Sequence, residues 1–335
     1  MKPTVQTLAK EAPSQPSQSP LYIRIVRRKE FGVFMALIAV SLFFTLSTKT
    51  FLTTPNVLNV LRQISINGII VMAMTLVIIA KDIDLSVGST FAMVGMVVAV
   101  LFNQYHVNIW LASLGGIAVG GLLGLVNGVI TVKGQLPPFI VTLGTMMVSR
   151  GLALVTSGGV PASVKLPKAF FAVTGARIFG GIPVPALWFL GATVVAGFLL
   201  HKTSFGYKVY SVGGNVEAAR LAGINTDRIR ILNFVLIGVA SGLAGIISMS
   251  YLSSVTPTAG QGMELQAVAA TVIGGTSMLG GVGTILGSFI GALFMGVIRN
   301  GLVLVGTSAY FIELITGIVL IAAVWFSAYT HREKR

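Results

Sequence analysis

About ten apolar stretches recur along this chain, and they constrain its fold more than any other feature. They lie near 31–48, 64–80, 86–103, 107–131, 138–156, 185–200, 231–252, 265–277, 281–300 and 309–328. A hydrocarbon core about 30 Å thick takes roughly 20 apolar residues of helix to cross. Inside lipid every backbone N–H and C=O needs a partner within the protein, and a helix supplies those partners itself. The expected fold is all-α and polytopic, with about ten transmembrane helices. A composition of 54% apolar and only 10% charged residues, with a mean hydropathy of +0.90, agrees with it. The eighth stretch is too short to span alone and runs into Gly274-Gly275-Thr276-Ser277-Met278-Leu279-Gly280-Gly281. A broken or re-entrant segment is expected near 265–281, tolerable only where neighbouring protein satisfies its backbone.

Charge sets the orientation. A net charge of +14 would fit nucleic-acid binding in a soluble chain, but in a membrane chain Lys and Arg accumulate in cytoplasmic loops. With ten crossings and an inside N-terminus, sixteen of the 23 Lys and Arg fall inside, among them Lys81, Lys133, Lys202, Lys208, Arg220, Arg228 and Arg230. Both termini are therefore expected in the cytoplasm, and no nucleic-acid partner is expected. Residues 1–30, opening on a Ser-, Pro- and Gln-rich stretch, read as a disordered cytoplasmic tail. Residues 31–330 read as one transmembrane domain carrying a polar cytoplasmic loop at 201–230. The absence of cysteine removes disulfides, Cys-ligated zinc and thiol chemistry. His106, His201 and His331 are dispersed, so no metal site is expected.

Glycines mark where helices can approach closely. Gly116, Gly120, Gly124 and Gly128 recur at four-residue spacing, as do Gly283, Gly287 and Gly291, with a shorter pair at Gly238 and Gly242. Such stripes give flat packing surfaces in a membrane; they serve a compact bundle or surfaces that slide to gate a path. A faint internal echo also appears. Val77-Ile78 through Val87-Gly88 resembles Val272-Ile273 through Val282-Gly283, each a helix–turn–helix closing on the cytoplasmic side.

Acidic residues number only nine, so their placement is informative. Asp82 and Asp84 lie in Lys81-Asp82-Ile83-Asp84-Leu85-Ser86-Val87-Gly88, between the second and third spans. Asp84 or Ser86 can cap the third helix, and the same group can form a polar constriction at the cytoplasmic end of a path; the two roles are compatible. Glu264 opens the eighth stretch and Glu313 lies early in the last, where ionisable groups usually face the bundle interior or a wet cavity. Asn127, Thr142, Thr145, Arg150 and Asn300 either bridge helices or line a hydrophilic passage.

The loop holds the most distinctive run, Gly213-Gly214-Asn215-Val216-Glu217-Ala218-Ala219-Arg220-Leu221-Ala222-Gly223-Ile224. Asn215 can cap a short helix, Glu217 suits its first turn, and the alanines let a partner surface come close. No G-x-x-x-x-G-K-[ST] run is present to cradle a nucleotide phosphate. Nor does a nucleophile elbow or a ligand cluster stand out, so the chain is not expected to be an enzyme.

Glu217-Ala218-Ala219-x-x-x-Gly223 resembles the EAA-type loop of ABC importer permeases. Its usual continuation toward Ile-x-Leu-Pro is absent, with Asn233-Phe234-Val235 in that region, which argues against the maltose-type branch. Asp84-Leu85-Ser86-Val87-Gly88, the Gly213–Gly223 run, and Val272-Ile273-Gly274-Gly275-Thr276-Ser277 with Gly280-Gly281 follow in order. Together they resemble the ribose/arabinose/galactoside branch of bacterial ABC permeases, the ribose type most closely, from about Phe31 to the C-terminus.

That resemblance implies a multi-pass inner-membrane permease importing a monosaccharide, with ribose or a related pentose foremost. Its partners would be two cytoplasmic ABC ATPase subunits, a periplasmic sugar-binding protein, and a second permease copy or a paralogue. No cofactor would sit in this chain, ATP and Mg being held by the ATPase. Gly214, Asn215, Glu217, Ala218, Ala219, Arg220 and Gly223 would form a coupling helix. Asp82, Asp84, Ser86, Asn127, Thr142, Thr145, Glu264, Thr276, Ser277 and Asn300 are the candidate pathway or gate residues. The alternative is an ion-gradient-driven secondary transporter with Asp82, Asp84, Glu264 or Glu313 as coupling carboxylate. A third possibility is a passive channel or membrane scaffold.

Overall fold

The computed structural model describes residues 29–332, so most of the expected N-terminal tail lies outside the described residues. In chain order the helices are α1 Lys29–Ser47, α2 Thr54–Ile79, α3 Val87–Asn103, α4 Ile109–Lys133, α5 Pro138–Ser157, α6 Lys168–Thr174, α7 Val184–Lys202, α8 Ser204–Gly214, α9 Val216–Leu221, α10 Thr226–Leu252, α11 Met263–Ile273, α12 Ile285–Leu304 and α13 Ala309–Arg332. Among the described residues seven of these, α1, α2, α4, α5, α7, α10 and α12, are long and apolar enough to cross a membrane. α3, α11 and the Phe311–Ala322 part of α13 are shorter apolar helices. The chain is an all-α polytopic membrane protein, and every expected stretch corresponds to a helix. The largest boundary difference is α2, which starts ten residues before the predicted span because Pro55 fits a first helical turn, where its missing N–H costs nothing.

The extra elements are small. β1 (Ala162–Ser163) pairs antiparallel with β4 (Ser254–Val255), Ala162 opposite Val255. β2 (Arg177–Ile178) and β3 (Ile182–Pro183) form a short hairpin before α7.

α2 is the axis of the bundle. Its apolar window is 78% buried, against 6% for α1, and Gly68–Ala80 is buried without interruption. α10 packs along α4 with α3 and α2 beside it, while α11 and α12 also pack on α2 and α1 lies against α12. The glycine stripes serve close packing. A methyl group at Gly120 would lie 2.6 Å from the Gly238 carbonyl oxygen, and one at Gly124 would collide with the Phe234 carbonyl. Gly287 and Gly291 meet Gly274 and Ala270 in the same way, drawing α12 onto α11.

The broken span is real and has two breaks. α11 has 11 residues, about 16 Å of helix, which is half a membrane. Before it, residues 253–262 run non-helically past α3, with Gly260 against Gly88 and Phe91. The Arg150 guanidinium on α5 donates to the carbonyls of Pro257 (2.8 Å) and Ala259 (2.7 Å), supplying the partners that irregular backbone at depth requires. After α11 the chain turns through 274–284 before α12 begins.

Candidate functional site

The 203–228 segment is a relay of helix caps. Thr203 starts α8, its hydroxyl accepting from the Gly206 N–H at 3.4 Å. Asn215 starts α9, its Oδ1 accepting from the Ala218 N–H at 3.0 Å. α9 ends when Gly223 turns left-handed (φ +81°) and the N–H groups of Gly223 and Ile224 return to the carbonyls of Arg220 and Ala219. Glycine is the residue that adopts this turn without steric cost. Asn225 then caps α10 through the Arg228 N–H at 2.9 Å.

α9 therefore stands as a short, fixed helix with Glu217, Ala218, Arg220 and Leu221 exposed and Ala219 buried beneath. Leu221 is 90% exposed, an unusual position for a leucine on so short a polar helix. Arg220 reaches Asp227 at 3.5 Å, but both side chains are about half exposed or more. Such a pair holds little energy and leaves Arg220 free for other contacts.

The base of this loop is tied to the membrane helices through backbone. Gly214 closes α8 and does not belong to α9; a methyl group there meets nothing. Gly213 is different. A methyl group at Gly213 would collide with the Ile79 carbonyl oxygen and lie 2.6 Å from the Gly281 nitrogen. The Gly281 N–H donates to Ile79 O at 2.8 Å, and the Tyr210 hydroxyl of α8 donates to Gly283 O at 2.6 Å. The second and third sequence motifs thus meet at one junction with the end of α2, where α2, the end of α8 and the turn before α12 touch.

The structure does not keep the register of the internal echo. α2 and α11 end in the same six-residue hydrogen-bond pattern. Lys81 (φ +68°) and Gly275 (φ +91°) take the left-handed position, and Asp82 N–H and Thr276 N–H return to Val77 O and Thr271 O. This aligns Val77 with Thr271, one residue away from the register the sequence offers.

Beside the junction the buried acids are fully engaged. Asp82 is buried, and Arg230 of α10 bonds both of its oxygens, Nε to Oδ2 at 2.9 Å and Nη2 to Oδ1 at 2.6 Å. Asp84 Oδ1 accepts from the Ser86 N–H (2.8 Å) and hydroxyl (2.6 Å). Asn127 of α4 donates to Asp84 Oδ2 (3.2 Å) and to Ser86 Oγ (2.9 Å). Ser86 holds the N-cap position of α3 without capping through its side chain; Asp84 and Ser86 instead form a closed polar cluster with Asn127. Burial is the larger influence on both carboxyls and lifts them above the usual aspartate range. The Arg230 bonds and charge oppose this at Asp82, and the Ser86 and Asn127 bonds oppose it at Asp84.

The other candidates do not join that cluster. Thr276 Oγ1 lies 3.4 Å from Ser288 Oγ, and Ser277 Oγ accepts from the Leu279 N–H, both within the 274–288 turn. Thr142 bonds back to Pro138 O of its own helix, and Thr145 is half-buried on α5. Glu264 accepts from the Gly262 N–H at the start of α11. Asn300 exchanges two amide bonds of 3.0 Å with Asn56, fastening α12 to α2. Glu313 is exposed on α13 and does not face the interior of this chain. Sequence reasoning missed Arg230 as a site residue. It was visible as a basic residue in a cytoplasmic loop, but nothing in the sequence paired it with Asp82.

Residues 56–324 match the family described as branched-chain amino acid transport system / permease component. The chain is 42% identical over 296 residues to the ribose import permease protein of Bacillus subtilis (strain 168), covering 88% of this chain and 92% of that relative. It is 41% identical over 297 residues to the ribose import permease protein of Escherichia coli (strain K12), covering 86% and 90%. The L-arabinose ABC transporter permease protein of Azospirillum brasilense is 38% identical over 304 residues, covering 91% and 89%.

Proposed function

The chain belongs to the branched-chain amino acid transport system / permease component family, and from that membership we propose that it is the membrane-spanning permease of an ATP-driven ABC importer carrying ribose or a related pentose. The observation that carries the reading is the near end-to-end likeness to ribose import permeases. The exposed α9, capped at both ends, supports its coupling half.

In this reading the protein lies in the inner membrane with both termini in the cytoplasm. Two ATPase subunits hold ATP and Mg and receive α9 through Glu217, Arg220 and Leu221. A periplasmic sugar-binding protein delivers the solute, and a second copy or a paralogue completes the path. When the ATPases close, α9 is displaced. The force passes to the Gly213–Ile79–Gly281 junction, and through Arg230 to Asp82, so that α2, α10 and α12 move as packed bodies. The Asp84–Ser86–Asn127 cluster lies at the cytoplasmic end of α3 and opens when α4 and α3 separate.

The test is uptake of labelled ribose into cells making the permease with its ATPase and binding protein. The expected result is uptake that needs an intact ATPase and survives a proton uncoupler. Uptake by this chain alone, abolished by the uncoupler, would instead establish the ion-gradient mechanism.

A further inference from the structure

Between α2, the end of α10, α11 and α12 lies a cavity of about 350 Å³ with a wall part amide and part apolar. Its polar side chains include Gln63 and Asn67 of α2, Gln261 before α11, Gln266 of α11 and Arg299 of α12, while Phe91 of α3 supplies an aromatic wall. At about 30 Å³ per water it has room for about a dozen, enough for one monosaccharide with part of its hydration.

Three observations fix its chemistry. Asn67 lies near the middle of α2, and its side-chain oxygen is buried without a hydrogen-bond donor, a state that costs about 1–3 kcal/mol. That oxygen is turned away from the cavity, so where Asn67 lines the wall it offers its amide NH₂ group, a hydrogen-bond donor. Arg299 Nη1 donates to Gln266 Oε1 at 3.1 Å, which orients the Gln266 amide and leaves its NH₂ group to donate. No Asp or Glu lines the cavity, so nothing in it favours a cation over a neutral solute. Planar amides offer a donor and an acceptor side by side, the pattern that neighbouring hydroxyls match. An aromatic face suits the C–H side of a sugar ring. Amides and a guanidinium on this face would also be costly against lipid, so the face meets water or protein.

We propose that the translocated solute meets this chain in that cavity, and that Asn67, Gln266 and Arg299 select among polyhydroxylated neutral solutes. The proposal rests on the importer reading above. Phe91 lies about 7 Å along α3 from Ser86, so a solute leaving the cavity toward the cytoplasm next meets the Asp84–Ser86–Asn127 cluster.

The test compares uptake of labelled D-ribose, L-arabinose and D-allose by the complete importer, per copy of permease in the membrane. The variants are Asn67→Leu, which removes the amide at similar volume, and Gln266→Met on the cavity rim. At least one is expected to lower D-ribose uptake tenfold or more and to change the order of preference among the three sugars. A packing defect alone would slow all three equally, and that outcome overturns the proposal, as does uptake within twofold of wild type with an unchanged order. If the wild-type importer carries no monosaccharide, the importer reading fails and the proposal with it. Wild-type uptake with unaffected variants removes the proposal alone.

Discussion

Asp82 and Arg230 show how a single pair can govern the end of the bundle where α2 meets α10. The Asp82 side chain is fully buried and that of Arg230 is 23% exposed, so removing one partner leaves a charge without compensation. Arg230→Met is expected to destabilise the protein by roughly 3–5 kcal/mol, read as a lowered unfolding temperature in detergent. Pairing it with Asp82→Asn should restore most of the loss; equal losses in the single and double variants would show that the pair carries no such weight. Gly213 and Gly214 give a second comparison at this scale. Gly213→Ala drives a methyl group into backbone atoms that cannot rotate away, whereas Gly214→Ala enters open space. Solute uptake should fall at least tenfold in the first and stay within about twofold of wild type in the second. In the sequence Gly214 stands out and Gly213 does not, because nothing local marks the backbone that Gly213 meets.

At the scale of elements, α9 is defined by its ends. Asn215→Ala removes the N-cap and is expected to cost about 1 kcal/mol. Amide exchange within α9 should then quicken roughly fivefold while α10 keeps its protection; unchanged exchange would mean the cap is dispensable. Leu221→Asp leaves every cap in place and changes only the outward face. It should lower ATPase-driven uptake at least tenfold with normal membrane abundance, and full uptake would exclude Leu221 from the docking surface. The Asn215 cap was legible beforehand, because it acts through a neighbour three residues away; Gly223 and Asn225 act as locally but were not read as caps. The break before α11 was less legible. It depends on Arg150, more than a hundred residues earlier in the chain, reaching carbonyls that no local signal marks as unpaired.

For the whole molecule, two features at different depths have to act together. The amide-lined cavity lies beside the middle of α2, and the junction of α2, α8 and the turn before α12 closes the end of α2 next to Lys81. Between them Gly68–Ala80 is buried throughout, which leaves no solvent-exposed surface along that part of α2. Passage along it therefore requires whole helices to shift, and the backbone contacts at Gly120, Gly124 and Gly287 allow helices to move as packed groups. Locking the junction should separate the two functions. A cysteine pair at Lys81 and Gly280, whose Cβ would lie beside that of Lys81, oxidised in an otherwise cysteine-free chain, is expected to stop uptake and leave binding of the sugar-binding protein intact. Uptake that survives complete crosslinking would exclude opening at this junction.

The sequence by itself determined the membrane class, the spans, the N-cap of α9, and the motifs that mark the family. Each rests on hydropathy or on hydrogen bonds between near neighbours in the chain. Only the tertiary structure decided that Arg230 holds Asp82, that Asn56 holds Asn300, and that Asn67, Gln266 and Arg299 share a cavity. The first two pairs are 148 and 244 residues apart. Such contacts depend on which helices lie side by side, and that is settled by the close fit of glycine-lined surfaces across the whole bundle.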